Sequence, residues 1–137
     1  MFRFAVHHLR WLARVPGLPQ LFDAALLAWT GLAHPSRLAA MREIETRALA
    51  LPGVRLRVHR LGGIGFARGP RELGHLHGNG LLDLFVGREQ RDALVAAGRA
   101  EPHHVFEQSG WISFWLRTPA DTASALDLLA IAARVSG

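Results

Sequence analysis

The chain has 137 residues, half of them hydrophobic, and a formal net charge of +5. That is about one domain, too apolar for a disordered protein and large enough to bury roughly two-thirds of its unfolded surface without staples. It contains no cysteine, which excludes disulfides, zinc–thiolate centres and thiol nucleophiles and leaves the redox compartment open.

The first fourteen residues mix Phe2, Phe4, Leu9, Trp11 and Leu12 with Arg3, Arg10 and Arg14. They lack the uninterrupted apolar core and small-residue cleavage site of a secretory signal. The pattern predicts a helix over 2–14, and its basic, aromatic character would suit shallow contact with a membrane surface. Pro16-Gly17-Leu18-Pro19 separates it from a second helix over 19–33. Residues 21–33 are strongly apolar, yet the run is shorter than the ~20 residues that span a bilayer and holds Asp23, so a packed helix is expected. His34-Pro35 ends that helix, and Ser36 is the expected N-cap of a third over 37–50. Leu38, Met41, Ile44, Glu45 and Leu49 give its inward face.

After Leu51-Pro52-Gly53 the period changes. Val54 to His59 alternates apolar and polar residues, the mark of a half-buried strand. Arg55, Arg57 and Arg60 form the one local basic cluster here. All basic side chains are arginines, and arginine does not titrate below pH ~12, which inflates the pI of about 11.5. The cluster therefore reads as a solvated strand face, with an anion or RNA contact as the alternative. Gly62-Gly63 leads into a short strand, Ile64 to Ala67, and Gly69-Pro70 into a third, Arg71 to His77. Asn79-Gly80 is a strong hairpin signal between this strand and Leu81 to Val86. A helix over 88–98 follows, with Leu94 and Val95 facing in, then an extended piece around His103 to Phe106 and a strand from Trp111 to Leu116. Thr118 or Asp121 caps a final helix built on Leu126, Leu129, Ile131 and Val135. The fold class is α+β: N-terminal helices, then a mostly antiparallel sheet with two further helices packed on it. Residues 1–35 are expected as an N-terminal helical segment and 36–137 as the main domain.

Within Arg71-Glu-Leu-Gly-His-Leu-His, alternation places Arg71, Leu73, His75 and His77 on one face. Two imidazoles two residues apart can share a metal ion or a substrate oxygen. His103 and His104 could add ligands or a base, and Asp83 or Glu72 a carboxylate, an all-N/O set that suits zinc, iron or copper. A two-residue Asn79-Gly80 turn would face His77 with Leu82 and His75 with Leu84, leaving Asp83 on the other side. A three-residue turn would set His75 opposite Asp83. The two-residue turn is the expected one, and it aims the histidines at an apolar pocket. His7, His8, His34 and His59 read as ordinary structural or surface histidines. Trp111 and Trp115 share a strand face, as core or as a wall for a flat ligand.

The segments Arg71-Glu-Leu-Gly-His-Leu-His-Gly, Gly80-Leu-Leu-Asp-Leu, Ala97-Gly-Arg-Ala-Glu-Pro-His-His-Val and Ser109-Gly-Trp-Ile-Ser-Phe, in this order, resemble the luciferase-domain family. The family contains the luciferases of bioluminescent fungi and many short bacterial proteins. The resemblance covers about residues 36–135. It implies an oxygen-dependent enzyme that oxidises a hydroxylated pyrone without flavin or metal, through a peroxidic intermediate, and it points to Glu72, His75, His77, His103 and Trp111. This chain is shorter than the fungal proteins, so their pyrone pocket need not be retained.

The expected function is thus a cofactor-free oxidoreductase. His75 or His77 is the general base, with Glu72 beside them, and His103 holds the resulting anion or peroxide. Trp111, with Arg71, Asp83, His104 and Trp115, binds a flat hydroxylated substrate. The alternatives are an enzyme that uses a divalent metal on His75, His77 and His103, or a non-catalytic module for a small molecule or nucleic acid. A cytoplasmic location is expected, with peripheral membrane contact through the N-terminal helices as a variant.

Overall fold

The computed structural model describes residues 15–60 and 62–135. The helix expected over 2–14, with His7 and His8, lies outside them. Helices α1 (Leu18–Ala33) and α2 (Pro35–Ala48) come first. Strands β1 (Val54–Val58), β2 (Ile64–Arg68), β3 (Arg71–Leu76) and β4 (Leu81–Phe85) form a meander. Helix α3 (Arg88–Ala96), the two-residue β5 (Glu101–Pro102), β6 (Trp111–Trp115) and α4 (Thr122–Val135) complete the order. All pairings are antiparallel, and the sheet runs β1-β2-β3-β4-β6-β5. The α+β expectation holds.

The core lies between one face of the sheet and helices α2 and α4. Leu73, Leu76, Leu82, Leu84 and Ile112 meet Met41, Ile44, Leu128 and Leu129 there, all essentially out of solvent. Each fully buried aliphatic side chain of this kind stabilises the fold by about 1.5–3 kcal/mol. Two helix faces differ from expectation. In α2 the small residues Ala40 and Ala48 flank Met41 and Ile44 in the core, while Leu49 is exposed. In α4 the buried stripe is Ala125, Leu128, Leu129, Ala132 and Ala133, and Val135 is exposed. Alanines let helix and sheet approach closely, so the contact stripe follows them rather than the largest residues.

Helix starts also differ in detail. Ser36 sits inside the first turn of α2, because His34 takes the cap position and Pro35 opens the helix. Proline suits that place, having no N–H to satisfy and a preset φ. Before α4, Asp121 accepts the backbone N–H groups of Arg117 and Thr118, each at 2.9 Å, so a short 3-10 turn (Pro119–Asp121) precedes the helix. The extended piece expected at His103 to Phe106 is shifted to Glu101–Pro102, and residues 103–109 form a loop.

The β3 strand does not alternate as expected. Phe66 pairs with Gly74 but Ala67 pairs with Glu72, so Leu73 is an extra residue in a bulge. Leu73 consequently points into the core, and Glu72 joins His75 on the opposite face. The expected partners Arg71 and Leu73 are not on the histidine face with them; Arg71 is exposed at the strand's start.

The expected two-residue turn is replaced by a three-residue one. His77 N–H donates to Leu81 O and Gly80 N–H to His77 O, with Gly80 at φ 85°. Gly78, Asn79 and Gly80 form the loop, a type common where a glycine supplies the left-handed residue. His75 therefore lies opposite Asp83, and Leu76 opposite Leu82. Core burial of Leu82 and Leu84 beside Leu73 and Leu76 fixes this register, since a one-residue slip would turn Asp83 into the core.

Candidate active site

The polar face of β3, β4 and β6 carries a cluster of imidazoles around one carboxylate. Asp83 is fully buried. Its Oδ2 lies 3.2 Å from His77 Nε2, 3.6 Å from His75 Nε2, 3.6 Å from His103 Nε2 and 3.5 Å from His104 Nδ1. Its Oδ1 accepts the Ser113 hydroxyl, which β6 places directly opposite. Burial disfavours the charged carboxylate, but hydrogen bonds from His104 and His77 and the charge of the imidazoles outweigh this and hold its pKa far below the usual range.

Each histidine of β3 has a second carboxylate on its far side. His75 Nδ1 is 2.8 Å from Glu72 Oε1. His77 Nδ1 is 3.8 Å from Asp23 Oδ1, which comes from α1 and also accepts the Gly78 N–H at 2.7 Å. Burial opposes a charge on His77, yet the hydrogen bonds and charges of Asp23 and Asp83 dominate and raise its pKa to about 9. Glu72 is pushed up by burial but more strongly down by the hydrogen bond from His75 and the nearby imidazoles, so it is ionised and accepts the His75 Nδ1 proton.

His103 has a different task. Its Nδ1 accepts the backbone N–H groups of Val105 and Phe106, at 3.1 and 3.0 Å. A ring that accepts at Nδ1 carries its proton on Nε2, which faces Asp83. Burial, then neighbouring imidazoles, lower its pKa to about 4 against the pull of Asp83, so the ring is neutral. His103 caps its own loop and presents an N–H to the site. It stacks on His104, with centroids 4.5 Å apart.

Trp111 lies against this cluster, 5.7 Å from the His75 ring, 5.9 Å from His103 and 5.7 Å from Phe85. A shallow cleft is lined by Arg71, Glu72, Phe85 and Val135, of which Phe85 is the ring that meets Trp111. The structure brings together Glu72, His75, His77, Asp83, His103, His104 and Trp111. Trp115 is on the same face of β6 but opposite Leu81, toward the hairpin end.

Three members are absent from the expected set. His59, read as ordinary, stacks on His75 with centroids 3.9 Å apart and planes 7° apart, and its Nε2 is 3.3 Å from Glu72. Asp23 is buried although its helix exposes Leu21, Phe22, Leu27, Trp29 and Leu32. Its signal was a lone acid in an apolar run. Ser113 had a signal too, as the polar residue between two tryptophans on one strand face.

Residues 70–132 match the family model of the luciferase domain. The luciferase-domain segment contains Glu72, His75, His77, Asp83, His103, His104 and Trp111, and the family resemblance read from the sequence stands over this stretch. Asp23 and His59 come from outside it. Comparison with curated proteins and with solved structures gave no match. Among the described residues, no helix is long and apolar enough to cross a membrane.

Proposed function

We propose that the protein is an oxygen-dependent oxidoreductase acting on a flat, hydroxylated small molecule of the pyrone or phenol type, at the place where Trp111 meets the histidine cluster. The observation that carries this reading is the position of Trp111 against both His75 and His103. A planar ring stacked on Trp111 sets its hydroxyl between two imidazole nitrogens of opposite character. His75, with Glu72 taking its Nδ1 proton, offers a lone pair at Nε2. His103 offers an Nε2–H.

The chemistry follows from that pairing. The acidic hydroxyl is ionised on the His75 side, and the resulting oxyanion accepts from His103. Ionisation makes the ring electron-rich, which is what direct reaction with oxygen requires. Residues of the luciferase-domain segment supply both groups, in keeping with the oxygen chemistry that the family resemblance implies.

The test is oxygen uptake with a panel of hydroxylated pyrones and phenols, together with binding followed by Trp fluorescence. Substrate-dependent uptake is expected, and Trp111→Ala should raise KM roughly tenfold. If alanine at both His75 and His77 leaves binding and uptake unchanged, the reading is wrong.

A further inference from the structure

The arrangement around Asp83 contains more than an acid–base pair needs. A carboxylate oxygen offers about two lone-pair sites, yet four imidazole nitrogens stand within 3.6 Å of Asp83 Oδ2. They cannot all be donors. Glu72 Oε1 lies 2.8 Å from His75 Nδ1, and Nε2 of the same ring faces Asp83 Oδ2 at 3.6 Å.

We infer that His75, His77 and Asp83 form a site for one divalent first-row metal ion, bound through His75 Nε2, His77 Nε2 and Asp83 Oδ2. Two observations support it. Ligands about 2.0–2.2 Å from one ion stand roughly 3.0–3.6 Å apart, and the Asp83 oxygen is 3.2 and 3.6 Å from the two nitrogens. In the same geometry, one ligand atom from each of His75, His77 and Asp83 lies within 4.8 Å of the other two. Each histidine directs its other nitrogen at a carboxylate, Glu72 for His75 and Asp23 for His77, the outer-shell pattern that orients metal-binding imidazoles and fixes their tautomer.

The donor set indicates which ion. Two imidazoles and one carboxylate on adjacent strands make a facial triad that leaves coordination positions open, the arrangement suited to Fe(II) in oxygen-using enzymes. His103 is not a ligand, because its Nδ1 already accepts two backbone N–H groups and its Nε2 bears the proton. That replaces the expected third ligand His103 by Asp83.

The metal site is read from geometry alone. With an ion bound, His75 Nε2 is its ligand and the ion takes over from that nitrogen the ionisation of the substrate hydroxyl; only this role rests on the oxidase reading. The protein purified without a histidine tag should be stripped with chelator and titrated with Fe(II) under nitrogen and, separately, with Zn(II), following heat and bound metal after dialysis. One equivalent per chain is expected, falling at least tenfold in affinity with His75→Ala or His77→Ala and unchanged with His34→Ala. Nitric oxide added to the Fe(II) form should give the high-spin paramagnetic signal of an adduct at an open position. No ion at micromolar concentrations, or binding that both histidine variants retain, overturns the site. Where Asp83→Asn fails to fold, the two histidine variants, checked by circular dichroism, decide. Stoichiometric metal with no oxidation of any hydroxylated ring supports the site and overturns the oxidase reading. Full-rate oxidation by protein that binds no ion does the reverse.

Discussion

At the scale of single residues, Gly74 does as much for the site as any residue with a side chain. A Cβ there would lie 2.2 Å from Asp83 O and 2.6 Å from Leu84 Cδ2, so at Gly74 the β3 and β4 backbones come closer than any other residue allows. That closeness sets Asp83 beneath His75. Gly74→Ala must push β4 away, and overpacking of this kind costs about 1–3 kcal/mol. Urea unfolding should show the loss in midpoint, accompanied by weaker metal binding. A change within about 0.5 kcal/mol would mean that the strands have room to part. The glycine is plain in the sequence, but its reason is not, because how closely two strands approach is a property of the pair. Alternation along β3 alone gave Leu73 the wrong face for a like cause, the bulge against β2.

At the scale of elements, local chemistry that a sequence displays is reproduced well where one residue decides the outcome. Asp121 ahead of α4 is such a case, and it makes a prediction. Burial acts to raise its pKa, but the hydrogen bonds from the Thr118 and Arg117 N–H groups together outweigh it and hold the group below the usual carboxylate range. A depressed folded pKa gives stability that is present above the unfolded value and is lost as pH falls through the folded one. Asp121→Ala should therefore cost about 1 kcal/mol at neutral pH, the worth of a capping side chain. The difference in Tm from the parent chain should shrink as the pH is lowered through the acid range, and a constant difference would contradict the cap. The hairpin between β3 and β4 shows the opposite limit. Asn79-Gly80 marks the turn correctly but does not count its residues. The length was set by burial of Leu82 and Leu84 and by Gly78, whose absent Cβ would fall 2.4 Å from Asp23 O. Both influences act from elements distant in sequence. The consequence for the site was large, since the shorter turn would have faced the histidines with leucines and hidden Asp83.

At the scale of the whole molecule, the N-terminal helix and the luciferase-domain segment meet at Asp23. The sequence suggested a helical segment over 1–35 beside a domain over 36–137, because the prolines near residues 16–19 and at 35 are the visible breaks. The geometry ties the two together: Asp23 accepts the Gly78 N–H at the hairpin and faces His77 Nδ1. Gly62, at the β1–β2 turn, packs against the same helix, its missing Cβ falling 2.6 Å from Asp23 Cβ. Removing the carboxylate leaves a buried N–H without its acceptor and His77 with one carboxylate fewer, a loss of about 1.5–3 kcal/mol for a hydrogen bond to a charged group. Asp23→Ala should lower the urea midpoint accordingly. A fragment that begins at residue 36 should lose at least as much, since it also uncovers the face of α2 against which α1 packs. Metal affinity separates a structural strut from an orienting partner. If Asp23 orients His77, Asp23→Ala weakens binding by roughly 10-fold or more even where the variant is fully folded. Equal affinity in the folded variant would leave Asp23 as a strut alone, and the site would then belong to the luciferase-domain segment by itself.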